Sequence, residues 1–135
     1  MPRENTVVIL GVFVADTAYR AERMPRMGET ILGQGFALGP GGKGSNQAVA
    51  AGLLGADVSF ISRLGVDAFA EMALETWRAA GVAPAVVRVP ESYTGAAYIF
   101  IEDGTGDNAI IIAPGAGATI SPAVSYTHLT LPTKA

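Results

Sequence analysis

One stretch limits the possible folds of this chain more than any other: Ala37 to Ala56, "ALGPGGKGSNQAVAAGLLGA". A crowded glycine turn runs directly into a segment of small residues. Ala48, Ala51 and Gly52 would give a helix from Ser45 to Leu54 a smooth face for close packing against a sheet, with Gly55 as its stop. Three chemistries compete for such a turn. A phosphate-binding P-loop requires Ser or Thr after its lysine, but Gly44 follows Lys43 and Ala37 stands where the first glycine belongs, so it is excluded. Gly39, Gly41 and Gly44 match the dinucleotide fingerprint, yet that motif should follow the first buried strand, and Pro40 sits inside it. Tight chain reversal alone accounts for Gly41, Gly42 and Gly44 but not for the polar run "KGSNQ" at the mouth of an apolar helix. Exposed N–H groups beside an ammonium and an amide suit a polyhydroxylated ligand.

The flanking sequence predicts an alternating α/β order. "TVVILGVFVA" reads as one buried central strand ending at Asp16. "TILGQGFALG" is strand-like and weakened by Gly33 and Gly35, after a turn marked by Pro25 and Gly28. "DVSFISRLG" is a further strand. "DAFAEMALETWRAAG" predicts a helix capped by Asp67 and stopped by Gly81, with Phe69, Met72, Leu74 and Trp77 on one broad side. A short strand near Ala85–Val89 precedes the turn "PESYTG". "AAYIFIE" and "NAIIIAPG" then flank "DGTGD", a hairpin signal. Strands alternating with helices argue for a parallel, helix-covered sheet. The hairpin and the Tyr19–Leu38 region break that order and predict a small antiparallel sheet beside it.

Composition narrows the partners. Half of the 135 residues are hydrophobic and 16% are charged, enough apolar material for a core and against disorder. A net charge of -3 offers no basic footprint for nucleic acid. With no cysteine, disulfides and thiolate metal sites are ruled out, which suits a reducing cytoplasm. The apolar core of the N-terminal run is too short to span a bilayer, and neither a membrane nor a metal-ligand cluster is expected.

"GGKGSNQAVAAGLLGADVSFISRLG" (Gly41–Gly65) resembles the first signature of the ribokinase, or phosphofructokinase B (pfkB), family of sugar kinases, and within it the ribokinase branch. "PRMGET", "LGVDAFAE" and "TGAAYIFIEDGTGDNAIII" stand in family order, so the resemblance runs from about Val7 to Pro122. It implies a ribokinase-like, Rossmann-type α/β sandwich, incomplete here, with a small β-sheet lid in segments of about 17–38 and 95–113. It also implies ATP-dependent phosphorylation of a small sugar such as D-ribose by a full-length parent, with Mg2+ and a monovalent cation such as K+. Alternatives are another sugar, a sugar acid, a nucleoside, or a non-catalytic sugar-binding module.

By resemblance Asp16 accepts hydrogen bonds from sugar hydroxyls, as a carboxylate at a strand end can. Gly41, Gly42 and Gly44 bring the turn close to the sugar, Lys43 and Asn46 donate to it, and Ala97, Ile99, Ile110 and Ile112 form the apolar inner face of the lid. One departure stands out: Val14 occupies the place of the usual asparagine two residues before the aspartate, which puts ribose itself in doubt. The family's catalytic base lies in a "D-T-x-G-A-G-D"-like segment with no counterpart in this chain, so no catalytic residue is assigned. Residues 1–124 therefore read as the amino-terminal part of such a domain, inactive alone and able to pair as a homodimer through the lid. Ser125–Ala135, "SYTHLTLPTKA", reads as a tail foreign to the family, and His128 within it has no assigned role.

Overall fold

The computed structural model describes residues 6–120; the Ser125–Ala135 tail and its His128 lie outside the described residues. Two sheets organise the chain. The first is wholly parallel, in the order β1–β4–β5, from strands Thr6–Leu10 (β1), Asp57–Leu64 (β4) and Val82–Arg88 (β5). The second has the order β3–β2–β6–β7, from Val14–Ala21 (β2), Gly35–Gly41 (β3), Thr94–Glu102 (β6) and Asn108–Gly115 (β7). Helices Lys43–Leu53 (α1) and Ala68–Ala80 (α2) are the crossovers that parallel pairing demands.

The core lies between the parallel sheet and these helices. Phe13, Val58, Phe60, Leu64, Trp77 and Val82 are buried there with Ala48, Ala70 and Ala73. The alanines let α1 and α2 approach closely, and Gly52 does so most: a Cβ there would lie 2.4 Å from the Ala80 carbonyl oxygen. Helix α2 follows its sequence signals. Asp67 caps it by accepting from the Ala70 N–H at 2.9 Å, and Gly81 ends it in the left-handed region at φ 76°. Phe69, Met72 and Leu74 are half-buried around Trp77, as the predicted broad face requires.

Four expectations need correction. The run from Thr6 to Ala15 is not one strand. It breaks over Gly11–Phe13, and Val14 onward belongs to the second sheet, because the Gly11 N–H bonds the Ile61 carbonyl and the chain then leaves β4. Among the described residues β1 is an edge strand of its sheet rather than a central one. The second sheet is mixed, not antiparallel: β2 pairs β3 and β6 pairs β7 antiparallel, but β2 and β6 run parallel. Finally, β3 begins later than predicted and continues through Pro40 to Gly41, while α1 begins two residues early at Lys43. Pro40 is tolerated because β3 is an edge strand whose outer N–H positions have no partner to serve.

Candidate sugar site and lid base

The break at Gly11–Phe13 and the turn at Gly42 bring two distant segments together. Register places Asp16 opposite Gly39 on one side and Ala97 on the other, so Asp16 sits within a lid strand and not at the tip of a core strand. Its carboxylate rests on Gly41: a Cβ at that position would lie 2.4–2.5 Å from the carboxyl carbon and both oxygens. Only glycine leaves that space. Partial burial pushes the Asp16 carboxyl above its ordinary value.

The turn itself is built on the chain's own backbone. Gly42 has φ 98°, and a Cβ there would meet the Val12 carbonyl oxygen at 2.4 Å. Gly44 and Gly11 face each other, each ideal Cβ position 3.1 Å from the other's Cα. These contacts seat the start of α1 on the bend after β1. Lys43 and Asn46 are exposed on that first turn, and the Asn46 N–H bonds the Gly42 carbonyl at 2.9 Å. Thus Asp16 and Gly41 are in contact, with Lys43 and Asn46 on the helical turn that Gly42 opens.

The lid residues share the Asp16 face. Pairing of Ala97 with Ile112 and of Ile99 with Ile110 places all four beside Asp16 and Ala18. Ala97 is buried, whereas Ile110 and Ile112 are 50% and 58% exposed. Val14 stands on the same face and is buried against Gly95, whose missing Cβ leaves 3.0 Å to the Val14 Cγ1. The opposite lid face carries an aromatic cluster, Tyr19 with Phe36 at 5.2 Å and Tyr98 at 5.4 Å.

The lid base carries a junction that sequence reasoning missed. Asp67 accepts from the Thr94 N–H at 2.8 Å with the oxygen not used for capping, and the Thr94 hydroxyl accepts from the Gly65 N–H at 3.0 Å. Arg88 Nε donates to the Gly65 carbonyl at 2.9 Å, while its other end donates to Glu71. Burial would raise the Asp67 carboxyl, but the hydrogen bonds from Thr94 and Ala70, aided by Arg88, hold it below its ordinary value. "VDAF" signalled a cap; nothing local signals that the second oxygen reaches a strand 27 residues away.

Among the described residues no group of three or more His, Cys, Asp or Glu could hold a metal ion, and no helix is long and apolar enough to cross a membrane. Asp16 offers an acceptor carboxylate beside Gly41, while Lys43 and Asn46 carry an ammonium and an amide on the exposed turn that Gly42 opens.

The model of the "pfkB family carbohydrate kinase" matches residues 4–130, and the chain belongs to that family. The chain is 36% identical over 126 residues to a ribokinase of Bacillus subtilis (strain 168), covering 93% of this chain and 42% of the relative. It is 34% identical over 117 residues to a deoxyribokinase of Salmonella typhi, covering 86% and 38%. The structure of Arabidopsis thaliana ribokinase complexed with ribose and ATP superposes with a TM-score of 0.75 at 36% identity, over 81% of this chain and 36% of that one. The chain thus spans about two fifths of the length of these relatives.

Proposed function

We propose that this chain is the acceptor-binding and lid part of an ATP-dependent sugar kinase that phosphorylates a pentose, D-ribose to ribose 5-phosphate in the first instance. The observation that carries the reading is the Asp16 carboxylate seated on Gly41, in the face of the lid sheet that also holds Ala97 and Ile99. Asp16 accepts from sugar hydroxyls. Lys43 and Asn46 donate to sugar oxygens, and Gly41, Gly42 and Gly44 let the turn come close. Ala97, Ile99, Ile110 and Ile112 exclude water from above.

Phosphoryl transfer to a hydroxyl also needs a base, a nucleotide site and metal charge. Among the described residues no cluster of three or more His, Cys, Asp or Glu could hold Mg2+; the base, ATP, Mg2+ and K+ belong, on this proposal, to residues beyond the family's amino-terminal part. ATP itself is supported by the Arabidopsis complex. On this proposal residues 1–124 carry the acceptor and lid part, with lid segments near 17–38 and 95–113, within the family match over 4–130. A homodimer through the lid fits the exposed isoleucines of β7. A cytoplasmic location fits the cysteine-free composition.

Val14 favours a second substrate. A buried valine beside Asp16 offers no hydrogen bond to a sugar hydroxyl, so a sugar lacking that hydroxyl loses nothing. The likeness to a deoxyribokinase points the same way. The test is a phosphorylation panel on the longer protein that contains these residues, with D-ribose, 2-deoxy-D-ribose, fructose and adenosine as acceptors. Turnover of either pentose supports the proposal, and turnover of none of the four refutes it. The 135-residue chain alone should stay at background.

A further inference from the structure

The chain's only tryptophan, Trp77, touches both the bend that leads to Asp16 and the first turn of α1. Trp77 is fully buried on α2. Its ring meets Phe13 edge-on at 5.9 Å and Phe60 at 5.0 Å. Phe13 lies on the bend leading to Asp16. The Phe60 ring lies against Gly11 and Gly44, where that bend and the first turn of α1 cross. The indole Nε1–H donates to the Ser45 hydroxyl at 2.9 Å, and Ser45 is 1% exposed, between Gly44 and Asn46.

That last bond matters because backbone contacts seat the start of α1, but no side chain caps it. Its N-cap is Gly42, which supplies no side-chain capping bond, and the first turn holds no acidic residue. The Ser45 hydroxyl points inward to the indole while Lys43 and Asn46 stand outward on the same turn. A helix is stiff over one turn, so fixing Ser45 fixes the rotation of its neighbours.

We propose that Trp77 is a positioning residue for acceptor binding: by holding Ser45 it sets the direction in which Lys43 and Asn46 present their donors relative to Asp16. The inference rests on the reading of those three residues as sugar ligands. It assigns Trp77 and Ser45 no contact with substrate.

The experiment compares unsubstituted protein with Ser45→Ala, Trp77→Phe and the double variant. Hydrogen exchange on the 135-residue chain is read at the amides of Asn46–Ala48 against those of β6. KM and kcat for the preferred pentose, with urea midpoints, are measured on the longer protein. Either single substitution should speed exchange at Asn46–Ala48 about fivefold, the effect of losing one hydrogen bond, and raise KM by about the same factor at nearly constant kcat. The double variant removes both polar partners, so its urea midpoint should recover relative to Trp77→Phe. Its KM should stay raised, because the bond that sets the rotation of the turn is still missing. Unchanged exchange in the first turn, or a KM that follows the urea midpoint across all four proteins, overturns the proposal. If the unsubstituted longer protein phosphorylates no sugar, the kinase reading fails instead, and exchange still decides whether Trp77 holds the turn.

Discussion

Gly41→Ala and Gly42→Ala are neighbouring substitutions that should fail in opposite ways. Gly41 has ordinary strand geometry and pairs with Val14, so alanine is accommodated by the backbone. The three atoms nearest its new Cβ all belong to the Asp16 carboxylate, at 2.4–2.5 Å, and that group ends a short side chain that can swing aside. Rotating it off its rotamer costs about 0.5–1.5 kcal/mol. Replacing a strand glycine returns about 0.5–1 kcal/mol of chain entropy. The net effect on stability is therefore near zero, within about 1 kcal/mol.

Gly42 is different. At φ 98° an alanine carries a left-handed cost of about 1–2 kcal/mol. Its Cβ would also meet the Val12 carbonyl oxygen at 2.4 Å, a backbone atom that moves only with the bend itself. Overpacking adds about 1–3 kcal/mol, for about 2–5 kcal/mol in all. Urea denaturation resolves the two. Calorimetric titration with pentose on the longer protein should then show Gly41→Ala binding at least about tenfold more weakly, since a charged hydrogen bond is worth about 1.5–3 kcal/mol. A Gly41→Ala protein as unstable as Gly42→Ala, or one that binds pentose normally, would refute the claim that Gly41 exists to seat Asp16.

Other outcomes follow from the same geometry. Asp16 has a raised carboxyl in the fold, so the native state binds the extra proton and stability declines as pH rises through the window above the ordinary value of 3.8. Asp16→Asn should therefore melt slightly higher at neutral pH while losing pentose binding, measured by scanning calorimetry and titration. Asp67 is the reverse case: its lowered carboxyl stabilises the fold above 3.8, and that contribution disappears as pH falls through the depressed value. Asp67→Ala removes a helix cap and orphans the Thr94 N–H, an expected loss of about 2–4 kcal/mol in urea unfolding. Glu29, paired with Arg23 and accepting from the Arg26 N–H, is held at about 2, so an NMR titration of its carboxyl should show a midpoint there. Val14→Asn on the longer protein should shift selectivity from 2-deoxyribose toward ribose, read as the ratio of kcat/KM values.

Much of this was legible from local signals. Asp67 and Gly81 bracket α2, the DGTGD turn joins β6 to β7, and the alternation of strands with helices sets the parallel sheet. The tight approach of the α1 turn to the bend after β1 was legible in Gly41, Gly42 and Gly44. The errors arose where tertiary pairing overrode local preference. "TVVILGVFVA" carries no breaker except Gly11, yet the chain changes sheets there, where Gly44 packs against Gly11. The predicted strand "TILGQGFALG" stopped at Gly39, but β3 runs on through Pro40, which an edge strand tolerates. The second oxygen of Asp67 and the indole of Trp77 act across 27 and 32 residues, distances over which no periodicity speaks.

The isolation of Trp77 in the sequence has a practical corollary. A single fully enclosed indole, its N–H committed to one hydroxyl, gives the chain an unlabelled fluorescence reporter at one known place. Its emission maximum should be blue when folded, red when the α1 turn comes loose, and shifted in Ser45→Ala before any other part of the protein unfolds.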